Sequence, residues 1–338
     1  MISVIIPTFN RANILERTLI SIKDQNTDVK FEVIVVDNGS NDHTKQICDK
    51  YAKFITDFHY LFDDTPGLLT GRHLGAQHAK ANILCFLDDD VSLDSNYINC
   101  VYLNFENDPS IQLATGPCLP EYETNPPEWL PYFWTQDKNG KYCSWLSLLD
   151  FGDKIIEIDP NFVWGLNFCI RKQALVDLGG FHPDCIPDHL QQFQGDGETG
   201  LTIKAREKGF KAVYIPSLKL KHYVSGGRLT KPYFQKRAYY QGVCNSFTAL
   251  RTNAKTSMKP TESIFKKIRN YIHPLYRWIK PLFIQSKEEK IPNEIKLFFE
   301  TLRKEELRGF EFHQQQFNAN EKVRNWVLRD NYWDYKLP

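Results

Sequence analysis

The sequence predicts an α/β fold: a mixed, mainly parallel sheet flanked by helices, with an aromatic insertion and a helical C-terminal extension. Three observations carry this. Short, near-continuous apolar runs alternate with stretches of helical periodicity over the first hundred residues, as in a parallel sheet covered on both faces. The texture then changes twice, to a proline- and aromatic-rich segment at Gly116 and to a basic segment near Arg251.

Strands are expected over residues 3–7, 31–36, 58–62 and 83–87. Between the first two, Ile14, Leu15, Leu19 and Ile22 recur at helical spacing, with Asn10 or Asn13 as the candidate N-cap. A second helix comes after Ser40, with Ile47, Cys48 and Tyr51 on its inner face. Another stripe runs through Tyr97, Ile98, Val101, Tyr102 and Phe105. From 116 to 160, Pro117, Pro120, Pro126, Pro127 and Pro131 fall among Trp129, Tyr132, Phe133, Trp134, Tyr142 and Trp145, which reads as a long irregular insertion. Next come a strand over 162–170 and a helix over 171–178 closed by Gly179-Gly180. A helix over 198–208 capped by Gly209 and strands over 211–215 and 218–222 complete this block. The expected organisation is one unit over 1–250, with halves 1–115 and 116–250, and a basic, aromatic, mainly helical extension over 251–338.

With 42 Lys+Arg against 41 Asp+Glu in 338 residues, the formal charge of +1 argues against a general nucleic-acid binder. Residues 1–7 lack the basic flank and cleavage site of a leader, and no apolar run approaches the roughly 18 residues of a membrane span. The eight cysteines have no C-x-x-C spacing and read as buried free thiols of a reduced cytosol, hence a cytoplasmic protein. The 14% aromatic content suits either large cores or stacking platforms for flat ligand faces. In residues 251–281, eight Lys/Arg oppose the single Glu262. That stretch either lies peripherally on an anionic membrane or packs its apolar side on the rest of the protein.

Asp88-Asp89-Asp90 ends the fourth strand. Three adjacent carboxylates repel unless a cation sits among them. On an extended segment Asp88 and Asp90 point the same way, so they can converge on Mg²⁺ or Mn²⁺. The plainer alternative is a solvated, helix-capping turn. Asp37 at the end of the second strand can accept from a base or ribose, or cap the next helix. Neither the run ending the first strand nor that ending the second is glycine-rich in the G-x-G-x-x-G sense, and no G-x-x-x-x-G-K-[ST] phosphate loop occurs.

Taken together, 4–11 (Val-Ile-Ile-Pro-Thr-Phe-Asn-Arg), 35–42 (Val-Val-Asp-Asn-Gly-Ser-Asn-Asp) and 86–90 (Phe-Leu-Asp-Asp-Asp) resemble family 2 of the inverting nucleotide-sugar glycosyltransferases. The resemblance covers about residues 1–250 and implies a GT-A fold, a Rossmann-like nucleotide half joined to an acceptor half. It implies that Pro7, Thr8, Asn10, Asp37, Arg72, Asp88 and Asp89 hold the nucleotide, and that Asp90 and His222 hold the metal. It places Asp196 as general base, and Trp164, Gly165, Asn167 and Glu198 around the donor and acceptor sugars. Gly71, His73 and Gly195 depart from the family pattern.

The residues admit other readings. Asp196 and Glu198 suit a helix N-terminus. His222 suits a satisfied strand end, and residues 164–167 suit a core. Residues 225–228 (Ser-Gly-Gly-Arg) make either a mobile lid carrying Arg228 or a solvated loop. The function expected is metal-dependent, inverting transfer from a UDP- or GDP-sugar to a glycan, lipid-linked or other hydroxyl acceptor, in surface polysaccharide or glycoconjugate biosynthesis. Its rivals are a catalytically silent nucleotide- or glycan-binding scaffold and a nucleotidyltransferase.

Overall fold

The computed structural model describes residues 1–256, 291–334 and 337. Four parallel strands, β1 (Ile2–Thr8), β2 (Phe31–Asp37), β3 (Phe58–Phe62) and β4 (Ile83–Leu87), match the expected strands to within a residue or so at each end. All seven residues of β1 are buried, as befits a strand covered on both faces. Its register pairs Thr8 with Asp37 and Ile2 with Ile83, so the polar residues ending β1, β2 and β4 gather along one edge. Helices α1 (Ala12–Lys23), α2 (Thr44–Tyr51) and α3 (Leu68–His78) connect these strands, and α4 (Tyr97–Asn107) leads on into the second half of the sheet.

The cap of α1 is not the expected one. Asn10 adopts a left-handed backbone (φ 52°), and its carboxamide accepts from Asn41 N. The helix is capped from outside, where Asp42 Oδ2 accepts from Ala12 N at 3.0 Å. The loops ending β1 and β2 are thereby stitched together. Helix α3 escaped the pattern because its hydrophobicity is not segregated: Leu69, Thr70, Gly71, Arg72, His73, Gly75 and Ala76 are all buried.

Beyond β4 the sheet turns mixed. β12 (Asn167–Arg171) runs antiparallel between β4 and β6 (Ile111–Thr115). β13 (Lys211–Tyr214) pairs parallel with β6, and β11 (Ile156–Ile158) closes that edge. Among the described residues the order is β11-β13-β6-β12-β4-β1-β2-β3. Helix α5 (Lys172–Asp177) ends at Gly179-Gly180, at φ +79° and +73°, as expected, and α6 (Glu198–Glu207) ends before Gly209.

The stretch expected to be irregular is largely a second sheet. β5 (Val91–Leu93), β14 (Leu220–Val224), β7 (Cys118–Tyr122), β10 (Leu148–Asp150), β9 (Lys141–Cys143) and β8 (Thr135–Gln136) lie in that order. Strands this short carry too few residues to display alternation, and β7 finds its partner β14 about a hundred residues later.

Aromatic residues of this insertion form a core with α7 (Lys231–Thr256) and α8 (Asn293–Ala319). Trp129 and Phe133 each meet Phe234 edge-on at 4.8 Å, and Trp145 stacks on Phe234 at 5.3 Å. These rings are packing, not sugar-stacking walls. Helix α7 passes straight through residue 250. It crosses α8 at Gly242 and Gly309, where a Cβ would fall 1.9 Å and 2.0 Å from facing carbonyl oxygens. The chain end then enters the main core. α9 (Glu321–Val327) contributes Val323, Trp326 and Val327, and beyond it Tyr332 has no exposure. Trp326 and Tyr332 are core residues. Tyr335 and most of the basic 251–281 stretch lie outside the described residues. Among the described residues no helix is long and apolar enough to cross a membrane. All eight cysteines are free, but Cys185 is exposed and Cys100 and Cys244 half-buried, which corrects the expectation of uniform burial.

Candidate active site

The site is built on the turn from β4 to β5, where Asp88, Asp89 and Asp90 leave the carboxyl edge of the sheet. They do not share one environment. Asp89 is buried, accepts from Thr8 Oγ1 at 2.7 Å and pairs with Arg11 Nη1 at 2.6 Å. Burial pushes its carboxyl up to about 7 even though Arg11 opposes the shift. Asp90 also bears a burial cost, but the guanidinium groups of Arg11 and Arg228 outweigh it and hold the carboxyl well below the usual range. Its Oδ2 takes Arg11 Nη2 at 2.7 Å and Arg228 Nη1 at 3.1 Å. Asp88 is the most open of the three, with its side chain 35% exposed and 3.6 Å from Arg72 Nη2.

Two donor atoms fit a divalent cation. Asp90 Oδ1 is buried without a hydrogen-bond partner and lies 3.4 Å from His222 Nε2. His222 Nδ1 faces the Leu146 carbonyl at 3.0 Å, which can only accept, so the proton sits on Nδ1 and Nε2 presents its lone pair. Arg228 Nη1 occupies that lone pair, at 2.9 Å. Among the described residues the donors of Asp88, Asp90 and His222 do not gather within 4.8 Å of one another. Arg11 and Arg228 are the groups sequence reasoning undervalued. Arg11 directly succeeds the Pro7-Thr8-Phe9-Asn10 run, which was the available signal. Arg228 belongs to a loop that read equally well as solvated.

Arg72 bridges to the opposite wall. It emerges from α3 nearly fully buried and gives Nη1 to Glu198 Oε2 at 3.3 Å. Its guanidinium lies over the Phe181 ring at 5.1 Å and against the Cα of Gly165. A Cβ at Gly165 would fall 1.9 Å from Arg72 Nη2, so a larger residue there would displace the guanidinium. Gly165 N in turn donates to Glu198 Oε1 at 3.2 Å. Glu198, in the first turn of α6, is thus fixed by two partners with its carboxylate 24% exposed.

Asp196, two residues earlier, is turned inward. It is 6% exposed, with Oδ1 2.6 Å from His182 Nδ1 and Oδ2 2.6 Å from Thr248 Oγ1. Burial alone would raise its carboxyl, but those partners hold it low and ionised. Asp184 lies beside this turn, since a Cβ on Gly197 would meet its Oδ2 at 2.7 Å. Burial and the neighbouring Glu198 charge raise the Asp184 carboxyl. It was not singled out from the sequence, where no motif marks it.

The remaining expected residues have mostly internal duties. Asn167 is fully buried, accepting from Tyr97 OH at 2.6 Å and donating to Leu218 O at 2.9 Å, so neither end is free for sugar hydroxyls. Trp164 is half-buried with its Nε1 on Asn161 O. Asp37 accepts from Ser40 N and Tyr60 OH, both at 2.8 Å, at 1% exposure. Pro7 lies against Gly71, where a Cβ would come within 2.6 Å of the proline ring. That contact accounts for glycine at 71. His73 is accounted for by the chain end: Nδ1 meets Tyr332 O at 3.2 Å, Nε2 accepts from Phe181 N, and the ring stacks on Trp333 at 4.1 Å. Burial pushes it down to about 3, so it stays neutral.

Residues 3–161 match the sequence model of glycosyl transferase family 2. A validoxylamine A glucosyltransferase of Streptomyces hygroscopicus subsp. jinggangensis is 33% identical over 129 residues, 37% of this chain and 30% of the relative. A glucosyl-dolichyl phosphate glucuronosyltransferase of Haloferax volcanii is 20% identical over 248 residues, 71% of this chain and 75% of the relative. The chain spans less than a third of the length of the first curated relatives it matches. In fold, it is similar to a mannosyltransferase of Pyrobaculum calidifontis solved with GDP-Man and Mn²⁺. The TM-score is 0.51 at 16% identity, covering 98% of this chain and 84% of that one. The 1–349 portion of S. aureus TarS with UDP-GlcNAc scores 0.50 at 15% identity, covering 94% and 91%. The fold is GT-A-like.

Proposed function

We propose that the protein is an inverting glycosyltransferase that moves a sugar from a UDP- or GDP-sugar to an acceptor hydroxyl, with Glu198 rather than Asp196 as the general base. The observation that carries this reading is the contrast at the start of α6. Glu198, held at both oxygens by Arg72 and Gly165 N, keeps its side chain 24% exposed, while Asp196 is buried with both oxygens bonded to core groups. A base must reach the hydroxyl it deprotonates. Glu198 takes the acceptor proton as the acceptor oxygen attacks the anomeric carbon on the face opposite the departing nucleoside diphosphate. Inversion needs one such carboxylate and no covalent intermediate. Arg72 orients Glu198 and ties it to Asp88 across the donor. Asp90 Oδ1 and His222 Nε2 would hold a divalent cation, which when bound stabilises charge on the leaving diphosphate.

The donors present in the two similar structures support a nucleotide-sugar, and the Haloferax relative's name supports a lipid-linked acceptor in glycoconjugate assembly. One observation favours a second reading, a nucleotide-binding protein that works without a metal: Arg11 and Arg228 already neutralise Asp89 and Asp90. UDP or GDP should raise Tm more with Mn²⁺ than with EDTA under the first reading, and equally under the second. Glu198→Gln should bind nucleotide normally and lose transfer; normal transfer by this variant would overturn the assignment.

A further inference from the structure

The amino-terminal edge of the sheet, at the far end of β1, β2 and β3 from the cleft, carries a second group of ionisable side chains. Glu32 enters β2 with no solvent exposure. Its Oε1 is clamped by Ser3 Oγ and by Lys80 N, both donating at 2.6 Å. Its Oε2 is buried and has no hydrogen-bond partner. That oxygen faces His59 Nε2 at 3.5 Å, and Asp57 Oδ1 lies 2.7 Å from the same nitrogen. The three donor atoms all lie within 4.8 Å of one another.

We propose that Glu32 Oε2, Asp57 Oδ1 and His59 Nε2 form a binding site for a divalent transition-metal ion, separate from the nucleotide cleft. The donor set of one imidazole and two carboxylates suits zinc, whose bonds of about 2.0–2.2 Å set tetrahedral ligands about 3.4 Å apart. The Glu32–His59 separation of 3.5 Å already meets that spacing. Asp57 must retreat by about 0.7 Å, and it sits on the partly exposed loop before β3 where such a shift costs little. His59 is 37% exposed, which leaves the solvent side open for a water as fourth ligand.

Lys80 at present supplies the positive charge. Its Nζ lies 3.1 Å from Asp57 Oδ1 and 3.2 Å from His59 Nε2, but 3.8 Å from Glu32 Oε2, too far to hydrogen-bond. At 54% exposure on a flexible stem, the ammonium can swing into water and yield to an ion that satisfies Glu32. A dication matches two carboxylates better than one ammonium does.

Calorimetric titration of Zn²⁺ into the full chain without nucleotide tests this, with Co²⁺ absorption reporting the ligand type. The expected result is that His59→Ala lowers the stoichiometry by one equivalent, or the affinity by about 10–100-fold. Lys80→Met should tighten binding by removing the competing cation, and bound Co²⁺ should show no thiolate band. Equal stoichiometry and affinity in wild type and His59→Ala, a thiolate band, or no binding by wild type and Lys80→Met alike would overturn the proposal. His59 is partly exposed, so its replacement leaves the fold intact for the comparison.

Discussion

The two walls of the cleft manage buried carboxylates in different ways. On the β4 wall, neutralisation is imported: Arg11 and Arg228 reach Asp90 from 79 and 138 residues away in the chain. On the α6 wall it is divided between neighbours. Asp196 is absorbed by His182 and Thr248, whereas two residues later Glu198 is steadied by Arg72 and kept at the surface of the cleft. Both carboxylates are held at both oxygens, but a buried one is shielded from an acceptor hydroxyl, whereas a partly exposed one can be reached. Exposure separates the two carboxylates, not residue type.

The largest expected effect tests that division directly. Glu198→Gln should reduce transfer by about 10²–10⁴-fold with nucleotide affinity retained, measured as kcat at saturating donor. Truncating the aromatic core comes next. Phe133→Ala should cost about 3–5 kcal/mol by denaturant unfolding, with nucleotide affinity of the folded protein unchanged. A selective loss of sugar affinity at full stability would return those rings to the binding role their composition suggested.

Asp196→Asn should cost about 1–3 kcal/mol, because His182 and Thr248 lose their charged acceptor. Any transfer defect should be smaller than that of Glu198→Gln. Equal catalytic loss in both variants would erase the distinction between the walls. The smallest effect concerns pH. Burial between α7 and α8 pushes Glu306 up to about 7 from its ordinary 4.5, despite Asn245 and Arg303. The folded state holds this proton more tightly than the unfolded chain does. Its contribution is therefore fully present below about 4.5 and is lost as pH rises through 7. Glu306→Gln should flatten that decline, as read from unfolding free energies measured on either side of it.

Much of the nucleotide half was legible because its signals are local. β1 to β4 announce themselves as apolar runs, and α1, α2 and α4 as stripes. The acidic turn after β4 stands where the sheet edge places it. The second sheet was not legible, since its strands are two to five residues long and pair across the chain. The aromatic residues misled for a related reason. Composition reports that Trp129, Phe133 and Trp326 exist, but not that Phe234, Phe298 and Phe193 come back to cover them. His73 looked like a lapse from the family pattern until Tyr332 and Trp333 were seen resting on it.

By itself the sequence determined the α/β class, the order of the first strands and the family resemblance, because periodicity and strand-end motifs are written in consecutive residues. Only the tertiary structure decided which carboxylate faces the cleft, which arginines neutralise the others, and where the chain end packs. Those outcomes depend on burial and on partners brought together from distant parts of the chain. A charge two residues from another can therefore belong to the core while its neighbour belongs to the site.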